Sequence, residues 1–386
     1  MQDGQRQSAL LGELDRENLA ALVCFAPEDV LLLSGYWPVM ASSLAVLTRK
    51  GALHVILPED ELELAGVTAQ ADFLHYNPHS LEQISTATEA LEQSIRQLAK
   101  KLPLGAERVG VLLHDTAQTQ SYQSANHFHS ALVPLLRKVY PDVSVVACDS
   151  LLRRMKSIKT EAEVGQMRKL CRLAEAGFEK ARQAIRAGRR EDEIAPEINQ
   201  AYACVAHEGF ERGHGYFFCM SGPNSTKAAG AFARTRKRVV QPGDLVMIHA
   251  NTVGDGFWTD VTRTYTAGKP TDLQRSMREA IDEARRAALA AIRPGAKASA
   301  VDAAARGVLT AHGFGKQFTH AVGHGVGFAA ADPEALPRLH PKSPDELQAG
   351  MTFNIEPAIY IEGHGGMRHC DVVACTQDGA EVLTAF

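Results

Sequence analysis

A pattern that occurs twice constrains the fold of this 386-residue chain more than any other feature. Ala184-Ile185-Arg186-Ala187-Gly188 is followed by a helical stretch and then by His207-Glu208-Gly209-Phe210. Ala291-Ile292-Arg293-Pro294-Gly295 is followed by a helical stretch and then by His312-Gly313-Phe314. The openings lie 107 residues apart (291 − 184) and the closings 105 apart (312 − 207). Each copy reads helix, turn, helix, strands. Such an echo indicates a duplicated α+β unit, and two related halves leave room for a site between them.

Hydrophobic residues make up 45% of the chain and charged residues 22%, enough to bury an ordinary globular core. The length predicts about two domains. With a net charge of -4 and no long basic face, the chain is not expected to bind nucleic acid. The start, Met1-Gln2-Asp3-Gly4-Gln5-Arg6, lacks a basic segment leading into an apolar run. No apolar stretch reaches the roughly 20 residues of a membrane helix, so no membrane partner is expected. Seven scattered cysteines without a CxxC pair point to the reducing cytoplasm.

Residues 1–152 read as an α/β domain. Strands are predicted at Ala21–Phe25, Leu44–Leu47, His54–Leu57, Val109–Leu113 and Val143–Ala147, and helices at Glu61–Ala69 and Ser85–Lys101. No GxGxxG or GxxxxGK[ST] turn supports nucleotide binding. A second, α+β domain is predicted over 153–386. It opens on a helix from Thr160 to Ala187, with Thr160 and Glu163 as a capping box. Val164, Met167, Cys171, Ala174, Phe178, Ala181 and Ile185 form its apolar stripe, and Gly188 is expected to cap its end.

Five residues of this second domain carry metal-competent side chains in strand-like or tight-turn segments: His249, Asp260, His324, Glu356 and Cys370. Imidazole, carboxylate and thiolate hold zinc and other divalent first-row ions, and a bound ion can make water a nucleophile. Alternation along a strand puts Asp260 on one face with Thr262 and Thr264, and Cys370 with Arg368. Arg263, His369 and Asp371 then face the other way, where structural ion pairs are expected. Taken singly, each of the five is more readily an ordinary satisfied polar residue; it is the joint pattern that points to a metal. Cys370 reads equally as a ligand or a small core residue, and less readily as a nucleophile.

The segments Asp260-Val261-Thr262-Arg263-Thr264, Gly323-His324-Gly325-Val326-Gly327, Asn354-Ile355-Glu356-Pro357 and Gly366-Met367-Arg368 resemble the signature segments of the pita-bread metallopeptidases. That family includes the methionine aminopeptidases, Xaa-Pro aminopeptidases, prolidases and creatinase. The linker from Arg153 to Glu163 resembles the junction of the two-domain prolidase and creatinase branch. The resemblance implies a pita-bread α+β domain behind a creatinase-like N-terminal α/β domain, a homodimer, and a small-molecule or short-peptide substrate. It also implies two metals held by two Asp, one His and two Glu.

This chain departs from that set. His249 stands at the first Asp position and Cys370 at the last Glu position. One divalent ion, zinc before manganese, cobalt or iron, is therefore expected on His249, Asp260, His324, Glu356 and Cys370, with Glu356 as the catalytic proton carrier. Two histidines of the family pattern are replaced by Ala229 and Ala331. His214, Trp258, His340 and Arg368 are the candidate substrate-binding residues, and Tyr36-Trp37 candidate walls of the cleft. The expected activity is metal-dependent cleavage of an amide C–N bond in an Xaa-Pro peptide or similar substrate. A metal-independent, creatinase-like enzyme and a non-catalytic binding protein are the alternatives.

Overall fold

The computed structural model describes residues 3–39, 42–77, 86–113, 132–229, 235–330 and 336–386. It divides into two compact units, Met1–Lys156 and Ser157–Phe386. The predicted boundary after residue 152 falls four residues earlier, inside a helix, Asp149–Ser157, that runs through the junction.

The first unit carries α1 (Gly4–Arg16), β1 (Ala21–Cys24), α2 (Pro27–Ser34), β2 (Leu44–Thr48), β3 (Leu53–Pro58), α3 (Leu62–Thr68), β4 (Asp72–Tyr76), α4 (Ala87–Lys101), β5 (Arg108–Val111), α5 (Leu132–Val139), β6 (Ser144–Ala147) and α6, the junction helix Asp149–Ser157. One six-stranded mixed sheet runs in the order β4-β3-β2-β1-β5-β6. All five predicted strands are present within a residue or two of their expected ends. The sequence reading did not find α1, α2, β4, α5 or α6. In β4 only Leu74 and Tyr76 are buried, with Asp72 and His75 exposed, so no continuous apolar run marks it. Ser85, the predicted start of α4, lies outside the described residues; Thr86 caps that helix with Glu89 in a capping box.

The second unit opens on α7 (Glu161–Ala184), capped by Thr160 and Glu163 as predicted. Val164, Met167, Cys171, Ala174, Phe178 and Ala181 are buried along its inner face. The helix stops three residues short of the predicted Ala187, with Ile185 at the cap, and Gly188 forms the next turn at φ +89°. Then follow α8 (Glu191–Ala203), β7 (Gly213–Ser221), β8 (Leu245–Gly254), β9 (Phe257–Trp258) and β10 (Val261–Thr266). The second half supplies α9 (Asp272–Ala290), α10 (Ala298–Ala311), β11 (Thr352–Ile355), β12 (Ala358–Ile361), β13 (Gly365–Arg368), β14 (Asp371–Thr376) and β15 (Gly379–Val382). The sheets are β10-β8-β7 with β9 on β8, β11-β14-β15, and β12-β13. Among the described residues, no helix is long and apolar enough to cross a membrane.

The echo is written in the hydrogen bonds. Gly188 N donates to Val240 O and Val240 N to Arg189 O; in the second half Gly295 N donates to Leu347 O and Leu347 N to Ala296 O. Arg190 bridges Val239, and Lys297 bridges Glu346. Asp244 N donates to Gln241 O and Met351 N to Gln348 O, each at 3.1 Å. Gly243 and Gly350 take φ of +83° and +90°, a region open to glycine and costly for other residues. Every one of these pairs is 107 residues apart (295 − 188, 347 − 240, 350 − 243). The strands that follow start at Leu245 and Thr352 with the same offset, so His249 and Glu356 hold equivalent places in the two halves.

The halves are stitched at Asp371, whose side chain is fully buried. It accepts from Arg263 Nη2 and from Thr384 Oγ1, each at 2.9 Å, pairs with Arg285, and stands 3.3 Å from His369 Nε2. Arg263 also donates to the carbonyls of Cys370 and Thr384 at 2.7 Å. These are the ion pairs expected from strand alternation. Although the carboxyl is buried, hydrogen bonding from His369 and the charges of Arg263 and Arg285 hold its pKa well below the usual carboxylate range. Removing one member of such a buried pair leaves an uncompensated charge. Asp371→Asn is expected to cost about 3–5 kcal/mol in urea unfolding; a loss below about 1 kcal/mol, the level of a surface pair, would contradict this account.

Candidate active site

The site is assembled from short segments where the two halves meet. β8 pairs with β10 so that His249 lies opposite Thr262. Thr262 also forms an isolated bridge with Cys370. His324 sits between two bridges, Gly323 with Leu339 and Gly325 with Phe353. Gly323 has no room for a side chain: a Cβ there would stand 1.9 Å from Asn354 O. Glu356 follows β11, its amide tied to Val322 O at 2.8 Å. Asp260, just before β10, and Glu356 are 5% and 8% exposed, so the carboxylates face a nearly closed space.

Three of the five expected donors face one another. His324 Nε2 stands 3.8 Å from Asp260 Oδ2 and 3.9 Å from Glu356 Oε1. His324 Nδ1 donates to Gly325 O at 3.0 Å, leaving the Nε2 lone pair turned toward the carboxylates. Ligands bound to one tetrahedral ion at 2.0–2.2 Å are separated by about 3.4 Å. The three donors are a few tenths of an ångström wider than that. Among the described residues, no three His, Cys, Asp or Glu side chains form a closed metal-binding cluster. The donor types, two carboxylates and one imidazole, are those that suit a divalent first-row metal.

The other two expected ligands, His249 and Cys370, lie 3.5 and 3.9 Å from Asp260 Oδ1 and also hold hydrogen bonds of their own. His249 Nδ1 lies 3.5 Å from Asp260 Oδ1, but it accepts from Arg368 Nη2 at 2.9 Å and from the Thr262 hydroxyl at 3.0 Å. Arginine can only donate, so this nitrogen carries no proton and the ring is neutral. The Cys370 thiol donates to the Asp260 carbonyl at 3.2 Å. Burial, reinforced by Asp260 and Glu356, keeps it protonated well above the ordinary thiol range.

The buried Arg368 guanidinium donates through Nε to Thr262 Oγ1 at 3.0 Å and approaches Glu356 Oε2 to 3.6 Å. Tyr360 hydrogen-bonds the same side chain, and Tyr360 O–H reaches His320 Nε2 at 3.1 Å. The sequence reading missed His320 and Tyr360. Their signals were a second imidazole four residues before His324 and the inward phase of β12.

His214 and Trp258 meet edge to face with centroids 6.3 Å apart, and Phe218 stacks on His249 at 6.2 Å. His214, Tyr216 and Phe218 are half-buried along one face of β7, the face that leads to His249. His340 is exposed, its ring accepting from Lys342 N at 3.1 Å. Tyr36 is fully buried in the first unit and donates to Glu61 at 2.6 Å, so it is a packing residue and not a wall. Ala229 ends the short helical turn Gly222–Ala229, and Ala331 lies outside the described residues.

Burial, offset by Asp260 and reinforced by Arg368, lowers the His249 pKa from 6.5 to about 4. The unfolded chain therefore takes up this proton first as the pH falls. The stability gained from the neutral ring is complete above about pH 6.5 and drains toward pH 4. At pH 5 the loss from this group is about 2 kcal/mol relative to pH 7. In metal-free protein His249→Gln is expected to lose correspondingly less stability over that interval. Parallel stability–pH curves for the two proteins would refute this.

The sequence profile of metallopeptidase family M24 matches residues 165–377. An Xaa-Pro dipeptidase of Pyrococcus furiosus is 32% identical over 382 residues, covering 98% of this chain and 97% of the relative. An Xaa-Pro dipeptidase of Lactobacillus helveticus is 33% identical over 64% of this chain and 66% of its own length. The solved prolidase from Pyrococcus furiosus superposes with a TM-score of 0.76 at 25% identity, covering 97% of this chain and 99% of that one.

Proposed function

Since the chain belongs to metallopeptidase family M24, we propose that it is a metal-dependent hydrolase of the Xaa-Pro dipeptidase type, cleaving the amide bond before proline in a short peptide. The observation that carries this is the convergence of Asp260, His324 and Glu356, in a chain that matches an Xaa-Pro dipeptidase along nearly its whole length. The metal-independent and non-catalytic readings are not favoured beside that likeness.

Asp260, His324 and Glu356 would hold one divalent ion. When bound, such an ion polarises a carbonyl and acidifies water. Glu356 is the proton carrier: Oε1 faces the His324 side and Oε2 the Arg368 side, so its carboxylate borders the reacting space. Asn354 Nδ2 points at His324 Nε2 from 3.4 Å and helps fix that ring. His214, Tyr216, Phe218 and Trp258 offer an aromatic wall for the apolar parts of the peptide. The zinc preference rested on the softer His/Asp/His/Glu/Cys set; with the Cys370 thiol donating to the Asp260 carbonyl, the two oxygens and one nitrogen proposed here suit manganese and cobalt as well. All seven cysteines are free thiols, which supports a cytoplasmic location, and a homodimer is the assembly we propose.

The test is hydrolysis of Ala-Pro and related dipeptides by protein stripped with chelator and reloaded with zinc, manganese or cobalt. Activity should appear only on reloading. Glu356→Gln should lower kcat by roughly 10²–10⁴-fold. A folded, metal-loaded protein inert toward a broad Xaa-Pro panel would end this reading.

A further inference from the structure

The five metal-competent side chains are divided by Arg368. Its backbone N–H donates to Thr264 Oγ1 at 3.1 Å, and its carbonyl accepts from the same hydroxyl at 3.0 Å. Nε is held by Thr262 Oγ1. Main chain and side chain are thus clamped to β10, and the guanidinium has little freedom to leave. From that position Nη2 lies 2.9 Å from His249 Nδ1, and Nη1 lies 3.6 Å from Glu356 Oε2.

A carboxylate at position 249 would have two oxygens and could serve a guanidinium and a metal ion together. The imidazole Nδ1 has a single lone pair, and Arg368 and Thr262 already draw on it. A metal bonded to Nδ1 at about 2.0–2.1 Å would crowd Nη2, and its charge would oppose a guanidinium that does not deprotonate. The thiol that could complete such a site is donating to the Asp260 carbonyl.

We propose that Arg368 caps the one lone pair that His249 turns toward the site, holds the centre to a single ion, and serves as its second fixed positive charge. His249 is then the acceptor that positions Arg368, not a metal ligand. The proposal rests on the reading of Asp260, His324 and Glu356 as the ion's ligands and deepens it. The second charge is permanent: chelation removes the ion and leaves the guanidinium beside Glu356.

The experiment is a cobalt titration of the full chain by calorimetry and visible absorption, with metal counted by mass spectrometry after dialysis. Wild type should bind one ion and show no thiolate-to-cobalt charge-transfer band. His249→Ala should still bind one ion, weakened by no more than the roughly 10–100-fold of a supporting partner. Arg368→Lys should stay at one ion. Arg368→Met should take up a second ion and gain the thiolate band from Cys370. If Arg368→Met fails to fold, the double variant H249D/C370E decides, because its added carboxylate oxygens should admit a second ion with Arg368 in place. Two ions on wild type, loss of the ion in His249→Ala, a single ion on folded Arg368→Met, or, where that variant does not fold, a single ion on H249D/C370E would overturn the assignment and leave the hydrolase reading standing. A folded wild type that binds no ion would overturn both together.

Discussion

The bridge between Thr262 and Cys370 joins what the two halves bring to the site. Cys370 N donates to Thr262 O at 3.0 Å, and Thr262 N returns a weaker bond at 3.3 Å. On one side of this pairing Arg263 meets Asp371; on the other Thr262 meets Arg368 and His249. Alternation along two short strands thus sorts the polar residues into a structural ion cluster and a reactive one. Moving either strand by one residue would exchange them. The buried Asp371 network makes such a slip costly, because it would strand Arg263 and Asp371 without each other.

The reactive side solves an electrostatic problem. Asp260 and Glu356 both stand within 3.9 Å of His324 Nε2 and are largely buried, and like charges held in one buried site oppose one another. Arg368 supplies a fixed counter-charge, and its neighbours are arranged to keep it there. Tyr360 and Thr262 hold the side chain, and His320 orients Tyr360 by accepting its hydroxyl proton. His320 Nδ1 donates to Ala321 O at 2.7 Å, which fixes the tautomer that makes this possible. Burial keeps His320 below its ordinary pKa and therefore neutral. Neutral imidazoles at 249 and 320 leave the guanidinium as the only permanent positive charge among these groups.

Much of this was legible in the chain before any coordinates. The echo at Ala184 and Ala291 became a set of paired turns with a constant offset. The Thr160–Glu163 cap, the stripe on α7 and the outward Arg263–Asp371 pair followed from spacing alone. Asp260, His324 and Glu356 were found by residue type and by likeness. What spacing could not supply was the choice each side chain makes among partners on its own face. Strand alternation put His249, Arg368 and Cys370 inward, but it did not say that an arginine would reach the imidazole before a metal could. That depends on rotamers and on contacts between residues more than 100 positions apart, such as Arg368 with His249 and Thr262. Helix ends failed for a similar reason: Gly188 is held by Val240 across the half, so it serves the turn and not the cap of α7.

The two departures at ligand positions, His249 and Cys370, read together as one change. The resemblance implies four carboxylates around two dications, with an arginine at the place of Arg368. Here His249 and Cys370 are both neutral, so two negative charges are missing. Losing one dication removes two positive charges. A single-ion centre with Asp260, Glu356 and Arg368 therefore keeps the same local charge as the two-ion arrangement it resembles. Changing only one position would not: a lone His249 beside a retained carboxylate, or a lone Cys370, would leave an odd charge in a closed space where an unpaired charge is expensive. Independent decay gives no reason for the two substitutions to appear together or for both to choose hydrogen-bonding side chains that find partners. Their pairing, and the way Arg368 uses one of them, fits the single-ion proposal, in which Asp260, Glu356 and Arg368 keep the local charge of the two-ion arrangement.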